Sequence, residues 1–223
     1  MNLKEYPDRD MMMIDLAATI ASELESALHH QERATLVVPG GTTPGPIFDD
    51  LCAVDFEWSR VDVMLSDERW VPEDSERSNT RLLKERLLIE HAKAARFIPL
   101  YAKADTPEKI IPELESVIRP CLPISVLLLG MGADMHTASI FPGADNLDLA
   151  LEKHAPILVP MRAPGAPEPR VTLSAHVLNE AISKHIVITG DEKRAALEKA
   201  SHLSASEAPI RAVFSGATIH WAK

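Results

Sequence analysis

Short runs of unbroken apolar residues recur along this chain, each followed by a polar turn and then by a stretch of helical periodicity. Ala34–Val38 runs into Pro39-Gly40-Gly41, Val61–Leu65 into Ser66-Asp67-Glu68-Arg69, and Ser125–Leu129 into Gly130-Met131-Gly132. A strand with no polar alternation has both faces covered, as parallel strands flanked by helices do. Strands and helices in alternation therefore predict an α/β fold, with three α/β/α layers around a mostly parallel central sheet.

Met13, Leu16, Ala17, Ile20, Leu24, Ala27 and Leu28 follow i, i+3, i+4 spacing and predict an amphipathic helix from Asp10 to about His30. Further helices are expected from Pro44 to near Leu51, from a Ser78-Asn79 cap through Leu88, and from Thr106-Pro107-Glu108 to about Ile118. Phe97–Leu100 reads as another strand. Weaker strands follow at Ile157–Val159, Val171–Leu173 and Ile186–Thr189, with helices near Ala175–Ala181 and Glu192–Ala200. Met161–Pro169 is proline-rich without periodicity and reads as a surface loop. Too little chain follows it for an independent unit, so residues 1–223 are expected to form a single domain.

Composition excludes several classes. The net charge is −10 and no Lys/Arg block is present, which argues against nucleic acid or an anionic membrane as partner. No apolar run approaches the ~20 residues that span a bilayer, and the first ten residues lack a hydrophobic signal core. Cys52 and Cys121 stand alone, without CxxC or CxxxH context, so neither a disulfide nor a structural zinc is expected. A cytoplasmic monomer or small homo-oligomer is the expectation. An anionic ligand would need basic residues gathered with backbone N–H groups to overcome the repulsive net charge.

Several turns carry that combination. Pro39-Gly40-Gly41-Thr42-Thr43-Pro44 joins a buried strand to a helix start. Its glycines admit close approach of a ligand, its threonines add hydroxyls, and the helix N-terminus supplies free N–H groups, which together suit phosphate. It is neither a Walker A loop nor a GxGxxG fingerprint, so a nucleotide is not implied. Arg69, at the end of another strand, is a fork for phosphate or carboxylate that Asp67 and Glu68 are expected to hold in place. Arg77-Ser78-Asn79 lies near enough to add donors. Lys193, in a first helical turn, sits where the helix dipole disfavours a cation unless an anion is near. The segment LLLGMGADMHTASIFPG brings Asp134 and His136 to the end of a third strand, where an open α/β sheet places a general base. Singly, each motif has a plainer reading as a turn, a helix cap or a solvated ion pair.

Taken in order, GGTTP, SDERWVP with SNT, LLLGMGADMHTASIFPG, RVTLSAHVLNEA and GDEKR resemble the 6-phosphogluconolactonase family over nearly the whole chain. The resemblance implies a sugar-phosphate isomerase/CoA-transferase-like fold and hydrolysis of 6-phosphoglucono-δ-lactone. It departs at Met135, where the family usually has glycine, and at Thr42, where serine is commoner. On this reading His136 is the base and Asp134 orients it. Gly40, Gly41, Thr42, Thr43, Arg69 and Lys193 hold the phosphate, and Arg170 assists at the phosphate or the oxyanion. No metal or other cofactor is expected, since Asp134 and His136 supply at most two ligands. Ser139 has no GxSxG elbow before it, so a covalent route is disfavoured. Two alternatives remain: an amino-sugar-phosphate deaminase, which would want an acid shortly after the histidine where Ser139-Ile140-Phe141-Pro142 stands, and a non-catalytic sugar-phosphate sensor.

Overall fold

In the computed structural model, which describes residues 2–223, the chain opens with a short strand, β1 (Asn2–Glu5), and a long helix, α1 (Arg9–Leu28). Asp8 caps α1 by accepting a 2.8 Å hydrogen bond from the Met11 N–H, satisfying one of the donors that a helix start leaves orphaned. Met12, Leu16, Ile20 and Leu24 recur every fourth residue and are fully buried, so one stripe of the helix is core.

The first half of the chain continues with β2 (Ala34–Val38), α2 (Gly45–Cys52), β3 (Val61–Leu65), β4 (Asp67–Arg69), α3 (Asn79–Arg86) and β5 (Arg96–Ile98). Then come α4 (Ile111–Ile118), β6 (Val126–Gly130), α5 (Leu147–Leu151), β7 (Leu158–Met161), β8 (Arg170–Leu173) and α6 (Ala175–Asn179). β9 (Ser183–Thr189), α7 (Gly190–Ala200) and β10 (Ala217–Ala222) complete it. Every residue of β2 and β3 is buried, as their unbroken apolar composition requires.

Seven strands form one sheet in the order β1-β10-β9-β6-β2-β3-β5, all neighbours parallel, and helices complete the expected three-layer α/β/α arrangement. The order positions the site. From β2 the chain steps outward to β3 and β5, then returns to the other flank of β2 for β6, β9 and β10. The segments that leave β2 and β6 diverge, and such a switch point opens a crevice at the carboxyl ends of the strands.

Three features differ from expectation. The strands around residues 158–161 and 170–173 leave the main sheet and pair antiparallel with β4 in a second sheet, β4-β8-β7. The proline-rich loop is the connection of their hairpin, and a hairpin fixes antiparallel pairing. β1 and β10 form one edge of the main sheet. The β1 segment NLKE is mostly exposed and has no apolar pattern to announce it, because its place is set by backbone pairing to β10. The helix expected from Thr106 is interrupted. A single 3-10 turn at Pro107–Lys109 precedes α4, and Pro112 lacks the N–H that a continuous helix would direct to the Glu108 carbonyl.

Candidate active site

Four segments leaving β2, β3, β6 and β9 meet at the carboxyl edge of the sheet around an open cleft of about 210 Å³. Gly40, Gly41, Thr42 and Thr43 form one wall. Gly41 takes φ +86°, a left-handed conformation that costs glycine nothing. Gly40 is needed for a different reason. A β-carbon there would sit 2.1 Å from the Asn79 amide, which packs directly on the loop. No side chain caps α2 and no acid lies in its first turn, so the positive end of its dipole is uncompensated.

Arg69 and Arg170 are directly opposite one another in the β4–β8 ladder, and both line the cleft. Like charges in that register repel. The Nε of each guanidinium is buried with no partner, and Arg69 Nη1 donates to the Arg77 carbonyl at 2.8 Å. Arg170 lies 5.3 Å over the Phe141 ring, and burial lowers its pKa. Lys193 lines the same cleft and its pKa is likewise lowered by burial. Among the described residues, none of these three cations is in a salt bridge.

Asp67 and Glu68 do not hold the Arg69 guanidinium. Alternation along β4 turns the Glu68 side chain away from it, into a fully buried position. There the carboxylate accepts from the N–H groups of Arg69, Asn79 and Thr80 and from the hydroxyls of Ser78 and Thr80. Burial nonetheless raises its pKa, against the opposing pull of those hydrogen bonds. Asp67 lines the cleft floor and accepts from Ser66 Oγ and Ser139 Oγ. Arg77 is committed to Glu168 at 2.9 Å and does not line the cleft; its neighbour Asn79 does.

His136 enters on the turn after β6. Its Nδ1 lies 2.5 Å from Asp134 Oδ1, and its ring stacks on Phe141 at 4.2 Å between centroids. An ionised carboxylate can only accept, so Nδ1 carries the proton and Nε2 presents a lone pair. The hydrogen bond from His136 keeps the Asp134 carboxyl below its ordinary range, which holds it ionised at neutral pH. Gly132 permits this packing. A β-carbon on it would come within 2.2 Å of His136 Nδ1. Met135, where glycine was the commoner choice, still adopts φ +66°, so the turn is made with a side chain in place.

Gly40, Gly41, Thr42, Thr43, Arg69, His136, Arg170 and Lys193 thus all line one cleft, while Asp134 stands behind His136. Sequence reasoning had Asn79 as a helix cap and as one of the Arg77-Ser78-Asn79 donors, but passed over Phe141, the ring on which both His136 and Arg170 rest. An aromatic five residues past a histidine in an irregular turn carries no periodic signal.

Known proteins share this architecture. Residues 7–221 match the family described as Glucosamine-6-phosphate isomerases/6-phosphogluconolactonase. A 6-phosphogluconolactonase of Mesorhizobium japonicum is 40% identical over 218 residues, covering 97% of this chain and 91% of that one. One of Pseudomonas aeruginosa is 41% identical over 210 residues, covering 92% and 88%. The crystal structure of a 6-phosphogluconolactonase from Shewanella baltica superposes with a TM-score of 0.96 at 32% identity, over 100% of this chain and 97% of that one. With the family pattern matched almost end to end, the chain belongs to the glucosamine-6-phosphate isomerase/6-phosphogluconolactonase family.

Proposed function

We propose that this chain hydrolyses 6-phospho-D-glucono-1,5-lactone to 6-phospho-D-gluconate, the lactonase step of the oxidative pentose phosphate pathway, as a single-domain cytoplasmic enzyme that needs no metal. The observation that carries the reading is one cleft holding both an oriented imidazole and three cations that, among the described residues, form no salt bridge. The relatives of 40% and 41% identity bear the name of that activity.

A δ-lactone is an activated ester, so its hydrolysis needs a positioned water, a base and stabilisation of the oxyanion. His136 Nε2 takes a proton from water as the oxygen attacks C1. The tetrahedral intermediate collapses with cleavage of the C1–O5 bond, and the imidazolium returns the proton to O5. Asp134 keeps Nδ1–H in place and stabilises the imidazolium. The Gly40–Thr43 loop, the N-terminus of α2, Arg69 and Lys193 bind the phosphate dianion. Arg170, buried beside Phe141, faces the phosphate or the oxyanion. Among the described residues no three His, Cys, Asp or Glu side chains are grouped to hold a metal ion.

The test is kcat and KM on the phosphorylated lactone and on plain glucono-δ-lactone, corrected for spontaneous hydrolysis. His136→Ala should lower kcat by roughly 10²–10⁴, with phosphate-ligand affinity within a few-fold. Arg69→Ala should raise KM for the phosphorylated lactone by roughly 10- to 150-fold, since a charge-assisted hydrogen bond contributes about 1.5–3 kcal/mol, and should hardly touch the plain lactone. A His136→Ala enzyme with more than half the wild-type turnover ends the role of His136 as base. Ammonia release from an amino-sugar phosphate, without lactone hydrolysis, would place the chain among the deaminases. Tight binding of 6-phosphogluconate with neither turnover would make it a sensor.

A further inference from the structure

The His136 loop is held in a conformation that its own residues disfavour. Met135 and Ala138 sit at φ +66° and +48°, a region expensive for residues with a β-carbon. Hydrogen bonds within the loop, from Gly132 N–H to the His136 carbonyl at 3.0 Å and from Met135 N–H to the Gly132 carbonyl at 2.9 Å, offset part of that cost, and contacts from outside anchor both its ends. On one side, Thr137 Oγ1 donates to the Gly130 carbonyl at 2.9 Å, and Ile210 N–H donates to the Met135 carbonyl at 3.1 Å. On the other side stands Ser139, fully buried, whose Oγ donates to Asp67 Oδ2 at 2.6 Å and whose N–H donates to Thr172 Oγ1 at 3.3 Å.

Asp67 is placed to join the two halves of the cleft. It is 5% exposed, its second oxygen accepts from Ser66 Oγ at 2.9 Å, and it pairs with Thr172 in the β4–β8 register. Two residues along the same strand, and therefore on the same face, stands Arg69, opposite Arg170. A single buried carboxylate is thus built into the arm that carries both guanidiniums and hydrogen-bonded to the loop that carries the imidazole. Ser139 has no access to a substrate carbonyl, and its proton already points at Asp67, so it does not serve as nucleophile.

We propose that Asp67, acting through Ser139, is a positioning residue that sets the His136 imidazole at its working distance from the Arg69–Arg170 arm. The proposal rests on the lactonase reading. Its role is hydrogen-bonding geometry, not negative charge, and this separates it from a carboxylate that takes part in the reaction. Asp67→Asn can keep both contacts. The amide oxygen accepts from Ser139, while the amide nitrogen donates to Ser66, whose hydroxyl reverses its role. Asp67→Ala loses both contacts, and Ser139→Ala loses only the link.

The experiment measures kcat and KM for the phosphorylated lactone, the pH profile of kcat/KM, and inhibition by inorganic phosphate, for wild type and the three variants. Ser139→Ala and Asp67→Ala are expected to lose roughly 10- to 100-fold in kcat, the cost of misplacing a reacting group by about 1 Å. Their KM and phosphate inhibition should stay within about threefold, because the anion-binding groups are intact. Asp67→Asn should keep kcat within about threefold and leave the acid limb of the pH profile where it is. A general packing defect would instead raise KM and weaken phosphate inhibition along with kcat. The proposal is overturned if Asp67→Asn loses as much as Asp67→Ala, since the charge would then be what matters. It is also overturned if Ser139→Ala keeps full kcat, or if KM and kcat fail together. Should Asp67→Ala not fold, Ser139→Ala against Asp67→Asn decides the matter alone. A wild-type protein without lactone hydrolysis sinks the underlying reading, which an active enzyme with indifferent variants does not.

Discussion

Two glycines of the cleft show how differently one residue type can be used. Gly41 takes φ +86° with nothing within 4 Å of where a β-carbon would stand, so its constraint is conformational. Gly132 has no such dihedral, and its constraint is the 2.2 Å approach of His136 Nδ1. Gly132→Ala is therefore expected to push the imidazole off Asp134 and to cost about 10²-fold in kcat, with affinity for phosphate little changed. Gly41→Ala should instead cost about 1 kcal/mol of stability, the penalty for a β-carbon in the left-handed region, while leaving the imidazole where it is. Turnover and urea midpoints of both variants check the pair. A Gly132→Ala enzyme of normal kcat would mean that the His136 loop yields easily. The first constraint was foreseeable from a PGGTTP turn, but the second was not, because the clash involves a side chain four residues further on.

At the level of the element, β4 and β8 form a short ladder that sets two arginines face to face. Burial lowers the Arg170 pKa despite the opposing pull of the Asp67 and Glu168 charges, and without a salt bridge among the described residues the guanidinium is a cost to the empty protein. Arg170→Met keeps apolar volume against Phe141 while removing the charge. It is expected to raise the thermal midpoint of the ligand-free protein by about 2–4 °C, as relief of one cross-strand repulsion of up to about 1 kcal/mol would in a chain of this length. The rise in midpoint produced by saturating phosphate should shrink in the variant, because binding to the folded state alone is what generates it. Calorimetry with and without phosphate measures both quantities. A variant that is less stable when empty and equally responsive to phosphate would show that Arg170 is a packing residue.

At the scale of the whole molecule, the main sheet is closed against α1 by a polar chain that runs from two buried histidines out to the surface. His185 on β9 and His220 on β10 are joined at 3.0 Å, with Glu23 of α1 at 2.7 Å from His185. On the other side the Tyr6 hydroxyl lies 2.9 Å from His220 and 2.6 Å from Asp15, and Lys4 of β1 completes the cluster at Asp15. Burial, reinforced by the neighbouring His185, pushes the His220 imidazole down to about 3 from 6.5. The unfolded chain takes up a proton below 6.5 that the folded one refuses. The stability due to a neutral His220 is therefore fully present above about pH 6.5 and is lost as pH falls towards 3, at up to ~1.4 kcal/mol per pH unit. Urea midpoints should fall between about pH 7.5 and 5, and His220→Gln should flatten that slope. Equal slopes in the two proteins would move the acid sensitivity to other groups. Both the cluster and its edge strands join residues from the two ends of the chain, so nothing in local sequence announces them.

What the sequence determined by itself is what depends on near neighbours in the chain. Unbroken apolar runs marked β2, β3 and β6, because a strand buried on both faces must be apolar throughout. Apolar residues at i, i+3, i+4 spacing marked α1 to within two residues of its ends, and a Gly-Gly-Thr-Thr turn before a helix marked one wall of the cleft. The tertiary structure alone decided everything that rests on pairing between distant segments. It took β7 and β8 out of the main sheet to carry Arg170 against Arg69, turned Glu68 away from the guanidinium it was expected to hold, and tied Ser139 to Asp67 across 72 residues of chain. The reason is physical. Periodicity reports whether a residue is buried, but not which of many buried neighbours it meets. That choice is made by sheet order and register, which depend on how the apolar faces of all the strands and helices pack together and not on any one local stretch, since backbone hydrogen bonds alone would accept many registers.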